Sequence, residues 1–130
     1  MAEISALTVF AGLPVRRLAD AIDWYGRVLG REPDARPAPA IADYYLTRDR
    51  VPEHGTLQLR EDAARAGGGL VTINVEDIAA FAQSLERMGM TFATQDFPID
   101  AVDVSSVTVG TFEDPDGNAV TVVQPHPRSA

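Results

Sequence analysis

Val15-Arg-Arg-Leu-Ala-Asp-Ala-Ile-Asp-Trp-Tyr-Gly-Arg-Val-Leu-Gly30 places Leu18, Ile22, Tyr25 and Leu29 at spacings of three and four, with a glycine where the pattern stops. That spacing predicts an amphipathic helix from about Arg16, roughly four turns long, closed by Gly30. The residues before it follow a different period. Leu7, Val9, Ala11 and Leu13 alternate with Thr8, Phe10 and Gly12, which predicts a strand over 7–13 that stops at Pro14. Residues 31–40 carry three prolines and read as a connecting loop. Two further strands follow, Ile41 to Thr47 and Gly55 to Arg60, separated by the charged turn Arg48 to His54.

Beyond Gly67-Gly68-Gly69 the same programme starts again. Leu70 to Val75 alternates as a strand and leads into a helix from Ile78 to about Met88, ended by Gly89. Strands are expected at Thr91 to Thr94, Val104 to Thr111 and Ala119 to Gln124, the last two joined by a turn at Asp114 to Asn118. Val15 with Leu18 matches Val75 with Ile78 at an offset of 60, and Gly30 matches Gly89 at 59. The chain is therefore expected to be one α+β domain, residues 1–130, built from two repeated β-α-β-β-β modules. Module one covers about 5–61, module two about 69–124, and the polar tail 125–130 should fray. In each strand one face is aliphatic and suits a helix, whereas the other mixes Thr, Gln, Asn and Phe, as a ligand-binding face does.

Composition removes several classes of function. Eleven basic against nineteen acidic residues give a formal net charge of −8, which would repel a phosphate backbone, so no nucleic-acid partner is expected. There is no cysteine, hence no disulfide, thiolate metal site or thiol nucleophile. All the basic residues are arginine, which excludes Schiff-base and phosphate-loop lysine chemistry. No apolar run is long enough to cross a bilayer and Met1-Ala2-Glu3-Ile4 lacks a signal-peptide plan, so a cytoplasmic protein without a membrane partner is expected.

Three segments together resemble the vicinal oxygen chelate superfamily, which holds glyoxalases, bleomycin resistance proteins and extradiol dioxygenases. Val15 to Gly30 is similar to its opening helix motif, Val71-Thr-Ile-Asn-Val-Glu-Asp-Ile78 to its middle motif, and Phe112-Glu-Asp-Pro-Asp-Gly-Asn118 to its closing turn. The resemblance implies paired modules forming a curved mixed sheet around a cleft, completed by a homodimer. It also implies a divalent metal held by His, Glu or Gln at four positions. Carried over one by one, those positions fall on Phe10, Gln58, Leu70 and Thr121, and no His, Asp or Glu lies within two residues of any of them. Gln58 alone offers a ligand oxygen of the family's kind, and one amide cannot hold a catalytic metal. The expectation is no metal and no cofactor.

No catalytic residue is identified. His54 and His126 read as solvated bystanders, and Asp114 with Asp116 as turn formers. Glu76-Asp77 suits the start of the second helix. Trp24 and Tyr25 should pack the first helix on its sheet. The expected ligand-binding residues are Phe10, Tyr45, Gln58, Leu70, Phe112 and Thr121, with Phe97 a further candidate wall. Flat apolar walls with a few amides and hydroxyls suit a hydrophobic or aromatic small molecule. The function so implied is metal-free capture of such a compound, for example an antibiotic. The alternatives are a lyase, isomerase or other enzyme of the superfamily with a non-standard or absent metal site, and a partner-binding domain with a vestigial cleft.

Overall fold

A computed structural model describes residues 3–128. The chain divides into two compact units, Met1–Gly69 and Leu70–Ala130, each holding one β-α-β-β-β repeat. The first contains β1 (Ala11–Val15), α1 (Leu18–Leu29), β2 (Ala35–Ala38), β3 (Ile41–Tyr45) and β4 (Thr56–Glu61). The second contains β5 (Leu70–Asn74), α2 (Ile78–Arg87), β6 (Thr94–Pro98), β7 (Val104–Glu113) and β8 (Ala119–Pro127). Both sheets are four-stranded and mixed, ordered β1-β4-β3-β2 and β5-β8-β7-β6. In each, the strand before the helix pairs parallel with the last strand, and the other pairings are antiparallel. The duplication read from the spacing is thus a duplication of topology.

The helices are fixed at their ends by the same device. The backbone N–H of Leu18 donates to Glu61 Oε2 at 2.9 Å, and that of Ile78 donates to Gln124 Oε1 at 2.9 Å. A side chain near the end of the last strand of each unit thereby satisfies a helix N-terminal donor that has no partner within the helix. In α2, Asp77 adds a cap of its own, accepting from Ala80 N at 3.1 Å. Gly30 ends α1 with φ 72°, and its N–H donates to the Gly26 carbonyl at 2.8 Å.

Alternation along the strands decides what is buried. Leu13 and Val15, Ala42 and Tyr44, and Leu57 and Leu59 are all within 1% of complete burial and form the layer beneath α1. From α1, Leu18, Ala21, Tyr25 and Val28 complete that core, and Trp24 meets Tyr25 edge to face at 4.9 Å. Tyr44 donates its hydroxyl to the Ile22 carbonyl, and burial is the main cause that pushes its pKa up to about 12. In the second unit Phe81, Phe92 and Phe112 cluster with centroid separations of 5.9–6.2 Å.

Four elements differ most from the sequence expectation. β1 begins at Ala11, not Leu7, because its one neighbour β4 begins at Thr56, opposite the residue before Ala11. Leu7 and Val9 accordingly stay exposed. β1 also runs through Pro14 to Val15, which an edge strand tolerates because a missing N–H costs least there. The proline-rich segment contains the edge strand β2, irregularly paired with β3, rather than loop alone. β6 starts at Thr94, after Phe92 has turned inward against Gly110. β8 continues to Pro127, pairing opposite Val104–Val107, so residues 125–127 are strand where fraying was expected; the last two residues of that tail lie outside the described chain.

Candidate functional site: the sheet faces turned away from the helices

The alternation that buries one face of each sheet presents the other. On the first sheet that face carries Gly12 and Pro14 from β1, Thr56, Gln58 and Arg60 from β4, and Ile41, Asp43 and Tyr45 from β3. Gly12, Gln58 and Asp43 stand side by side in one cross-strand row. Gln58 is half-buried and donates from Nε2 to Asp43 Oδ1 at 2.9 Å. Asp43 is only 3% exposed. Over Gly12, by contrast, a side chain would meet nothing within 4 Å.

Tyr45 is half-buried on this face, as its parity predicts. Its backbone is pinned from outside the ladder: Tyr45 N–H donates to Asp34 Oδ2 at 2.7 Å, and Arg31 and Arg50 each approach the same carboxylate at 3.3 Å. Arg50 holds a left-handed backbone, φ 55°, in the turn that follows β3. Asp49 in that turn accepts from Thr47 and lies 2.7 Å from His54 Nδ1, and these hydrogen bonds hold its carboxyl below the usual aspartate value. Phe10 stands just before β1 and is 39% exposed.

On the second sheet the corresponding face carries Leu70 and Thr72 from β5, Thr121 and Val123 from β8, Val109 and Thr111 from β7, and Phe97 from β6. Leu70 is 76% exposed, and Phe97 is partly exposed opposite Val107. Thr121 is half-buried between Thr72 and Thr111, with its hydroxyl 3.1 Å from that of Thr111.

Phe112 does not belong to this face. It lies opposite Val120 on the helix side, 5% exposed, against Phe81 and Phe92. Its expected role as a ligand wall is therefore corrected: the parity of β7 puts Phe112 in the core and gives Thr111 and Val109 to the other face. His126 is likewise no solvated bystander, since it sits in β8 with Nε2 2.7 Å from Thr108 Oγ1, which itself donates to Asp96. Asp114 accepts from Asp116 N, Asn118 N and Asn118 Nδ2, the turn-forming role expected of it.

Asp43 is the residue that sequence reasoning missed. The signal was present, because the alternation that turns Tyr45 to this face turns Asp43 there too.

The donor chemistry does not fit the divalent metal that the resemblance implies. Phe10 and Leu70 have no lone pair to offer, and Thr121 offers a neutral hydroxyl engaged with Thr111. Gln58 and Asp43 are spent partly on each other. Among the described residues no group of three His, Cys, Asp or Glu side chains is placed to hold an ion. What the faces present is apolar side chains at Phe10, Leu70 and Phe97 beside the Gln58 amide and threonine hydroxyls, with the Asp43 carboxylate buried beneath.

The family model of the Glyoxalase/Bleomycin resistance protein/Dioxygenase superfamily matches residues 7–122. Among solved structures, the chain is similar to a glyoxalase/bleomycin resistance protein from Catenulispora acidiphila DSM 44928, with 28% identity and a TM-score of 0.71 over 92% of this chain and 98% of that one. A bleomycin-binding protein complexed with bleomycin shares the fold at 18% identity and a TM-score of 0.66, covering 92% and 98%. TnmS3, an antibiotic binding protein from Streptomyces sp. CB03234, does so at 20% identity and 0.64, covering 97% and 100%. No curated protein matches the chain.

Proposed function

Because the chain belongs to the glyoxalase, bleomycin resistance protein and dioxygenase superfamily, we propose that it is a binding protein that captures a hydrophobic or aromatic small molecule without a metal ion. The observation that carries this reading is the chemistry at the four positions where the family's metal ligands would stand, which are Phe10, Gln58, Leu70 and Thr121. Three of them carry side chains of no use to a catalytic cation, and two of those are apolar surface of the kind that contacts a ligand body. The presence of a bleomycin-binding protein and an antibiotic binding protein among the structural neighbours supports the same reading.

Capture is stoichiometric. On the first sheet Phe10 and Tyr45 supply flat apolar contact and Gln58 fixes orientation; on the second, Leu70 supplies contact and Thr121 a hydrogen bond. Each Å² of apolar surface withdrawn from water contributes about 25 cal/mol, so the aromatic area covered dominates affinity and the polar groups set pose. The protein acts in this reading as a cytoplasmic homodimer. No helix among the described residues is long and apolar enough to cross a membrane.

Thermal-shift screening of the full chain against aromatic natural products, bleomycin included, in buffer containing chelator, tests the proposal. A binder should raise the unfolding temperature and titrate stoichiometrically; at a hundred times Kd the stabilisation is about 2.7 kcal/mol. Conversion of a bound compound to product would overturn the capture reading in favour of an enzyme. The absence of any binder across the panel would overturn it altogether.

A further inference from the structure

Asp43 lies on the face of the first sheet turned away from α1. It is 3% exposed, and its side chain accepts one hydrogen bond, from Gln58 Nε2 at 2.9 Å. A carboxylate has room for about four such bonds. Among the described residues no arginine or histidine forms an ion pair with it; Arg60, the nearest basic residue along the same face of β4, is exposed opposite Ile41 and Pro14. Its environment differs from that of Asp34 in the same unit, whose carboxylate meets two arginines.

The arrangement places the half-buried Gln58 amide between the buried carboxylate and open space at Gly12. Donation from Nε2 orients the Gln58 amide so that Oε1, an acceptor, points away from Asp43. In the same row Gly12 contributes no side chain, and nothing lies within 4 Å of where one would begin. Apolar and aromatic groups border the row, with Phe10 just before β1 and Tyr45 two residues along from Asp43. A buried carboxylate without a countercharge costs free energy, which a bound cation carrying N–H donors recovers through charge-assisted hydrogen bonds.

We propose that Asp43, with Gln58, is the specificity-determining pair of this face, and that the ligand it selects carries a cationic N–H donor (an amidinium, guanidinium or protonated amine) on a flat apolar body. The inference rests on the capture reading and sharpens it. The net charge of −8 attracts any cation through the general field, whereas this pair recognises one at a defined place.

The probes are 2-naphthamidine and its neutral, near-isosteric counterpart 2-naphthamide, titrated into the full chain and followed by backbone-amide chemical shifts at Gly12, Asp43, Tyr45 and Gln58. The amidine should bind roughly 10- to 100-fold tighter than the amide. Asp43→Asn should abolish that preference by weakening amidine binding to the level of the amide, and Glu86→Gln, an equal change of net charge on exposed α2 surface, should leave the preference intact. Equal binding of the two probes by the unaltered protein overturns the proposal but not capture, and needs no variant to fold. A preference that survives Asp43→Asn, or disappears equally in Glu86→Gln, assigns it to the general field and also overturns the proposal. Failure of both probes to bind overturns the proposal, whereas the capture reading stands or falls with the panel of aromatic natural products.

Discussion

Phe112 and Leu70 exchange the values that their hydrophobicity alone suggests. Phe112 is enclosed by Phe81 and Phe92 under α2, whereas Leu70 is 76% exposed. Phe112→Ala should therefore cost about 3–5 kcal/mol of unfolding free energy, and Leu70→Ser less than about 0.5 kcal/mol, both read from denaturant midpoints. A small loss at Phe112 would remove the aromatic cluster from the account. Tyr44 supplies a pH signature at the same scale. Its hydroxyl is raised from 10.0 to about 12 in the fold, so the native state holds its proton more firmly than the unfolded chain. Stability should be whole below pH 10 and decline as pH rises towards 12; Tyr44→Phe should flatten that decline in unfolding curves measured across the range. Alternation along β3 makes it legible in the sequence that Tyr44 and Tyr45 point to opposite faces, whereas Gln58 is reached through the family resemblance. Phe112 escapes that rule only when Phe112 to Asn118 is taken as a turn motif, which stops the alternation of β7 one residue short.

At the level of elements, helix spacing and glycine stops carried nearly all the information about α1 and α2, since the 3.6-residue period is local to the chain. Strand limits were harder because a strand ends where its neighbour does. Nothing between Leu7 and Phe10 announces that β4 will start only at Thr56, and the prolines of β2 signal loop until an edge position is known. The reach of Glu61 and Gln124 back to Leu18 and Ile78 is similarly invisible locally, spanning 43 and 46 residues. Removing either acceptor, as Glu61→Ala or Gln124→Ala, should cost on the order of 1 kcal/mol in thermal or chemical unfolding. Glu61→Gln, which keeps an oxygen in place, should recover most of it. Equal losses in Glu61→Ala and Glu61→Gln would show that charge rather than the cap is responsible.

For the whole molecule, the proposed reading rests on the family's fold combined with unsuitable side chains at three of the four positions that the resemblance assigns to metal ligands. The family motifs and the internal repeat were legible from residues 7 to 124, and the family model covers residues 7–122. Loss of donors at Phe10, Leu70 and Thr121 could be read without coordinates, because a side chain lacking a suitable lone pair stays unsuitable in any fold. The burial of Asp43 could not, since it depends on three strands meeting in register. The central claim, binding without a metal, is tested most directly by calorimetric titration of chelator-stripped full-length protein with nickel, zinc and manganese. None of the three should bind more tightly than about ten micromolar, ~7 kcal/mol on the affinity scale. One ion taken up per chain with sub-micromolar affinity would contradict the account and make the protein a metalloprotein with ligands other than the family's four.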